Sequence, residues 1–340
     1  MKRKLFFVEK PCAAQSFSFL LEKQDMAILA QSIAAYKFDY KNINYSNAPY
    51  TKETPLYKEN KKFTHSIFNT NAFFQNKNRM ELPYLLEILK LKENKNKEVL
   101  KRKIKEFFLN FDEIIFACDY DYTGWRGFEF KMFYFFELGK EWIDFFNSYN
   151  IKISIIKTCS YDKNSLIKSF KERKNIFESD YYLLKEGYIK KDFFEYNYNL
   201  NALLFFNNIL KKLNIDNKNI VLTKNHIATL FLLKSEKLTE HDIVEIMSKR
   251  KIGQASNYSE IVYNLSFLKL TQKRNEIVSL SEQGELFLSF LHKKINDPYL
   301  NIRLKNDYKE LSVEDFKIKY EKYLYEVFSK QKRFLRRLGL

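Results

Sequence analysis

The sequence predicts an α/β domain built on a parallel sheet, followed by a mostly helical domain. Two observations predict it. In the first half, short apolar runs bounded by polar turns alternate with stretches of helical spacing, the pattern of strands joined by crossover helices. From about residue 165 the apolar residues keep a helical period, broken by one pair of short strand-like runs. Size agrees: 340 residues correspond to about two domains.

Residues 5–8, Leu-Phe-Phe-Val, form the first expected strand, and 13–22 a helix after Pro11, a residue favoured in a first helical turn. Residues 41–78, rich in Asn, Lys and Tyr with Pro49 and Pro55, read as irregular, and a charged helix is expected over about 82–109. Together they make an insertion at about 41–110, and long insertions in α/β domains are often functional. Residues 114–118 form the second strand, 127–138 an aromatic-rich helix and 151–157 the third strand. The α/β domain is thus expected over 1–160 and a helical connector over 161–222.

Residues 223–288 have a distinctive order. Helices are expected at 224–234, 240–249 and 258–268, with a turn at Gly253, then strands at 268–271 and 277–280 around Gln272-Lys273-Arg274-Asn275, and a further helix. Three helices and a two-stranded ribbon make a winged helix-turn-helix, here over 223–292. Residues 293–340 are expected to be a helical, basic C-terminal tail ending in Lys330, Lys332, Arg333, Arg336 and Arg337.

Lys and Arg number 59 against 42 Asp and Glu, a formal net charge of +17. An excess of this size points to nucleic acid or, less often, to an anionic surface. Every long apolar run is cut by polar residues short of a membrane span, and Glu9 and Lys10 end the first apolar run too early for a signal peptide. A cytoplasmic protein with no membrane partner is expected. Cys12, Cys118 and Cys159 are odd in number and lack a CxxC, and the four histidines are scattered, so neither a disulfide framework nor a zinc site is predicted.

The basic residues concentrate where a winged helix meets phosphates. Lys249, Arg250 and Lys251 precede the third helix, and Lys273 and Arg274 lie at the tip of the ribbon. Gln254, Ser256, Asn257 and Tyr258 occupy that helix's N-terminus, where free N–H groups favour an anion. All nine are candidate DNA contacts.

Two short segments carry acidic chemistry. Val8-Glu9-Lys10-Pro11 follows the first strand, and Asp119-Tyr120-Asp121-Tyr122-Thr123-Gly124 follows a later one. Ligands of open α/β sheets bind outside the carboxyl ends of the strands. If these strands are neighbours, Glu9, Asp119 and Asp121 offer an oxygen-only set suited to Mg²⁺, with Lys10 available to a phosphate. A lone Asp-x-Asp is equally a solvated turn; the two segments together resemble the Toprim domain of topoisomerases, bacterial-type primases and some nucleases. Val8-Glu9-Lys10-Pro11-Cys12-Ala13-Ala14 is similar to the type IA DNA topoisomerase version. Asp192-Phe193-Phe194 with Asn197-Tyr198-Asn199 and Ala202-Leu203 is a fainter echo of that family. Lys251-Ile252-Gly253-Gln254-Ala255-Ser256-Asn257-Tyr258 resembles its Ile-Gly-x-Pro-(Ser/Ala)-Thr motif within the winged helix.

The resemblance implies a Toprim fold, magnesium at Glu9, Asp119 and Asp121, catalytic roles for these and Lys10, and DNA, single-stranded or locally opened, as partner. The sequence also departs from the family. Thr123 and Trp125 stand where it has two glutamates, and Asp121-x-x-Gly124-x-Arg126 is nearer the primase form. About 50 residues separate Asn201 from Ile252, and none resembles the motif that carries the DNA-cleaving tyrosine. The expectation is a DNA-binding relative that does not cleave DNA alone: an accessory protein, an inactive paralogue, or a half-enzyme whose tyrosine gate comes from a second chain. The alternatives are a Toprim nuclease or primase-like phosphoryl transferase, and a non-catalytic DNA-binding module of a mobile element.

Overall fold

The computed structural model describes residues 3–8, 16–22, 24–29, 48–51, 102, 105–118, 141–158, 160–217 and 220–340. The chain divides into two compact units, Met1–Lys37 with Pro55–Lys185, and Phe38–Thr54 with Glu186–Leu340. The helices expected at 82–109 and 127–138, and the insertion, lie largely outside the described residues.

The first unit is a mixed α/β structure. Strands β1 (Lys4–Val8), β2 (Met26–Leu29), β3 (Glu113–Ala117) and β4 (Lys152–Ile155) run parallel, and the two-residue β5 (Lys174–Asn175) adds antiparallel to β4, giving the order β2-β1-β3-β4-β5. Parallel strands covered on both faces read as continuous apolar runs, and Leu-Phe-Phe-Val and Glu-Ile-Ile-Phe-Ala are such runs. Phe6, Val8, Ile115 and Ala117 pack with Phe17, Leu21 and Leu166 in one cluster. Phe7 meets Phe116 edge-on at 6.3 Å. Strand β2 was not among the expected elements, although Met26-Ala27-Ile28-Leu29 is itself a short apolar run.

Helices α1 (Glu141–Ser148) and α2 (Lys163–Lys171) belong to this unit. Asp162 caps α2 by accepting the Ser165 N–H at 3.0 Å, and its carboxyl is drawn down to about 2 by Ser165 and Ser160. Because β5 pairs with β4, the first unit runs on to Lys185, beyond the boundary expected at 160. The pairing is pinned by charge. Arg173 donates to both oxygens of buried Glu113, at 2.9 and 3.1 Å, and Ser154 Oγ donates at 2.5 Å. Burial alone would raise the Glu113 carboxyl, but these donors outweigh it and hold it below the usual range.

The long helix α3 (Tyr181–Lys212) leads into the second unit, followed by α4 (Lys224–Ser235), β6 (Leu238–Thr239), α5 (Glu240–Lys249), α6 (Tyr258–Phe267), β7 (Thr271–Arg274), β8 (Ile277–Leu280), α7 (Glu282–Ser289), α8 (Leu300–Glu310) and α9 (Val313–Arg337). Phe194, Tyr198, Phe205, Phe206 and Ile209 of α3 share one core with Ile227, Leu230, Ile243, Met247, Ile261, Leu265, Phe287, Phe316, Tyr320 and Phe328. The expected order of three helices, ribbon and helix is present over 224–289. Two details differ. The hairpin turn is Asn275-Glu276, both at positive φ (48° and 64°), so Gln272, Lys273 and Arg274 are strand residues rather than turn. Two residues at positive φ suit the right-handed twist of a tight hairpin. The short β6 also pairs with β8, making a three-stranded sheet of order β6-β8-β7.

The expected C-terminal tail is a packed helical pair. Asp307 accepts from Tyr320 Oη at 2.6 Å and Lys319 Nζ at 2.7 Å, and Asp297 from Tyr323 Oη at 3.0 Å and from Arg303. Lys190 of α3, 1% exposed, donates to the Tyr308 and Leu311 carbonyls at the end of α8, supplying the partners a helix C-terminus lacks. Among the described residues no helix is long and apolar enough to cross a membrane.

Candidate nucleic-acid interface

The sheet order decides where ligands of the first unit belong. The chain leaves β1 for β2 on one side, and leaves β3 for β4 on the other. Connections that diverge in this way open a crevice at the carboxyl ends of the two central strands, the usual ligand position of an open α/β sheet. β1 and β3 are hydrogen-bonded neighbours in register, with Val8 opposite Ala117. Cys118, buried, donates its Sγ–H to the Phe7 carbonyl at 3.4 Å. The next residues in the chain are Glu9 after Val8 and Asp119 after Cys118. Glu9, Lys10, Asp119 and Asp121 themselves lie outside the described residues. Among the described residues no three His, Cys, Asp or Glu side chains come together as a cation site.

The nine candidate DNA contacts all lie in the second unit. Helix α5 ends in a Schellman motif: Lys251 adopts φ 59°, its N–H donates to the Ser248 carbonyl and the Ile252 N–H to Met247. Gly253 follows at φ 82°, where a Cβ would sit 2.7 Å from Asn257 Oδ1. That oxygen accepts the Gln254 N–H at 2.8 Å. Asn257 therefore shapes the turn, and half-buried Tyr258 packs against the core. Arg250, Lys251, Gln254 and Ser256 are exposed. Lys249 is exposed but paired with Glu245 at 2.5 Å.

On the hairpin, Lys273 lies 2.9 Å from Glu276 and 3.2 Å from Glu240. These carboxylates, Glu276 first, hold its ammonium above the usual lysine range. Arg274 is exposed and forms no ion pair among the described residues. The basic surface thus reduces to Arg250, Lys251 and Arg274, with Lys249 and Lys273 already sharing their charge. Two residues outside the nine stand out: Tyr263 and Phe267 are 65% and 39% exposed on the outer side of α6, rings 6.1 Å apart and nearly parallel. The sequence carried a signal, since both fall out of phase with Ile261, Leu265 and Leu268 of the core.

Residues of α3, of the start of α4 and of the turn before α6 line one cavity. The cavity, of about 200 Å³, is lined by Glu195, Tyr198 and Asn199 of α3, Lys224 and His226 of α4, and Asn257 and Glu260. Burial lowers the Lys224 ammonium, offset in part by Glu195 at 3.8 Å, and burial lowers His226 to about 4. Burial also raises the Tyr198 hydroxyl well above the ordinary range, and Tyr308, Tyr320 and Tyr323 are raised too. None of the four is primed to attack phosphate. Comparison with protein-family models, with curated proteins and with solved structures returns no match to this chain.

Proposed function

We propose that the chain is a DNA-binding relative of the type IA topoisomerases, with a Toprim-like Mg²⁺ site at Glu9, Asp119 and Asp121 and a winged helix-turn-helix over 223–292. One observation carries the reading: β1 and β3, the strands that Glu9 and Asp119 follow, are the middle two of the four parallel strands, at the position where their connections diverge. Three carboxylates at one sheet edge repel one another unless a cation lies among them. A magnesium ion there would offset charge on a phosphodiester, with Lys10 as a second cation for the phosphate. The second unit contributes phosphate contacts through Arg250, Lys251 and Arg274.

The segment expected to lack a strand-cleaving gate supports a protein that does not cut DNA alone. Between Asn201 and Ile252 the described residues form the rest of α3, then α4, β6 and α5. Oligonucleotide binding measured with and without Mg²⁺ tests the proposal. Magnesium is expected to strengthen binding, and Asp119→Ala with Asp121→Ala to abolish that gain; an unchanged Mg²⁺ response in the double variant overturns the metal site. Supercoiled DNA incubated with Mg²⁺ or Mn²⁺ is expected to stay intact. Metal-dependent nicking without a protein adduct assigns a nuclease instead, and relaxation through a 5′-phosphotyrosine adduct overturns the absence of a nucleophile.

A further inference from the structure

A second polar site lies in the first unit, beyond the carboxylate segments. A cleft of about 670 Å³ opens at the carboxyl end of β4, between α2 and the start of α3. Its walls carry Lys157, Lys168 and Lys174, the hydroxyls of Ser165, Ser169 and Ser179, and two acids, Glu172 and Asp180. The lining is therefore net positive; Ser179 Oγ already donates to the Ile176 carbonyl at 2.7 Å and Ser165 serves Asp162, which leaves Ser169 as the hydroxyl donor beside the lysines, a set that suits phosphate. Lys168 and Lys174 are exposed and ion-pair with no described residue, so their charge is not spent within the fold.

Flanking the lining residues Ser179 and Asp180 in the chain is a feature that a protein surface ordinarily hides. Phe177, two residues before Ser179, is 54% exposed, and Tyr182, two residues after Asp180, is 42% exposed. Their rings stack, 6.3 Å apart with 22° between planes. Neighbouring Tyr181 is fully buried, so the exposure of this pair does not follow from a lack of core to enter. Cations beside exposed stacked rings are the combination that binds single-stranded nucleic acid, whose bases stack while the backbone tracks the positive groove. The volume lies in the range of small-molecule and cofactor sites.

We propose that this cleft binds a nucleotide unit, with its phosphate on Lys168, Lys174 and the Ser169 hydroxyl and its base on the Phe177 and Tyr182 rings. The unit belongs to a nucleic-acid strand or to a free nucleotide, which share this chemistry. The site does not depend on the carboxylates or on the winged-helix reading.

The test uses the full chain with three probes: fluorescein-labelled oligo-dT, an abasic strand of equal length, and a fluorescent deoxyadenosine triphosphate. K168E with K174E is expected to weaken both strands and to flatten the slope of log K against log salt by about 1.4, the share of two phosphates on a single strand. F177A with Y182A is expected to weaken oligo-dT about tenfold and leave the abasic strand unchanged. If charge reversal lowers the melting temperature, K168Q with K174Q reads the same slope. Triphosphate binding lost in the cleft variants identifies a free nucleotide; strand binding without triphosphate binding identifies a nucleic acid. The proposal is overturned if both double variants keep wild-type affinities and slope. Loss of binding in K249A/R250A/K251A alone overturns it while leaving the proposed function standing.

Discussion

At the scale of single residues, His226 shows how a buried polar group is both satisfied and costly. It occupies the third position of α4, where the helix-start pattern Thr-x-x-Glu or Thr-x-x-Gln places a side chain that reaches back to the cap. The Thr223 N–H and hydroxyl both approach Nδ1, at 3.2 and 2.8 Å, so Nδ1 accepts and the ring is neutral, while Nε2 lies 3.4 Å from the Asn264 carboxamide. Burial depresses its pKa to about 4, against about 6.5 for an exposed histidine. Between these values the unfolded chain binds a proton that the folded one does not. Stability is therefore complete above about pH 6.5 and falls as the pH drops toward 4, by roughly 3 kcal/mol from this residue. His226→Gln keeps an acceptor for the Thr223 N–H and removes the titration. Urea unfolding from pH 7.5 to 4.5 is expected to show a shallower loss for the variant than for wild type; parallel curves would refute the assignment. Two buried carboxamides act without titrating. Asn201 pairs with both the N–H and the carbonyl of Tyr50, and Gln331 with the His292 N–H and the Phe290 carbonyl, each standing in for a strand neighbour. In a chain this rich in Asn, nothing in the sequence separates Asn201 from a solvated one.

At the scale of elements, four helices of the chain end without glycine, while α9 closes on Gly339 at φ 74°. The chain has seven glycines in 340 residues, yet α1, α3, α5 and α6 all close with a left-handed residue, respectively Asn150, Asn214, Lys251 and Lys269. In each, the following N–H reaches back five residues to the helix, as Leu270 does to the Leu265 carbonyl at 3.0 Å. A left-handed lysine costs roughly 1–2 kcal/mol relative to glycine, part of which glycine returns through its greater freedom in the unfolded chain. Lys269→Gly is expected to raise unfolding stability by about 0.5–1 kcal/mol, readable as a higher urea midpoint at unchanged slope; a lower midpoint would contradict it. This habit also explains what the sequence concealed. Helix starts at 240 and 282 were legible, because Thr239 and Ser281 are ordinary caps. Helix ends and the hairpin tip were not, because lysine, asparagine and glutamate carry positive φ where glycine would have flagged it. The ribbon was accordingly placed with its turn too early by two residues. Strand β2 was missed because four apolar residues carry no periodicity of their own, and the sheet that accepts them is built from distant segments. The strands that the two acidic segments follow were legible as apolar runs, whereas the adjacency of β1 and β3 is a property of topology that spacing in the chain cannot supply.

At the scale of the whole molecule, the charge is not gathered on one unit. Residues 186–340 hold 27 Lys and Arg against 19 Asp and Glu, so close to half of the net +17 falls in the second unit and the rest in residues 1–185. A single basic patch on residues 249–274 and the C-terminal helix, where Arg333, Arg336 and Arg337 are exposed, accounts for only part of the anion affinity that composition implies. Within the second unit, ion pairs reduce the effective number further, since Lys249, Lys273 and Lys330 each lie against glutamates. Such exposed pairs contribute little stability and are screened by salt, but a lysine that must leave a glutamate to meet a phosphate gives a smaller net gain. The six basic residues from 249 to 274, Lys249, Arg250, Lys251, Lys269, Lys273 and Arg274, would set a salt slope of about −4 on a single strand if each met a phosphate. With two of the lysines paired, the expected slope from this unit is nearer −3. Lys249→Ala, Arg250→Ala and Lys251→Ala together are expected to remove at most about 2 of that slope. Arg250 and Lys251 should carry most of the effect, and Lys249→Ala alone close to none. Fluorescence anisotropy of a labelled single strand across a salt series measures each slope. A slope loss of about 0.7 in Lys249→Ala, the full share of one phosphate, would mean that its glutamate pair opens at no cost, and that surface ion pairs on this molecule do not limit phosphate binding.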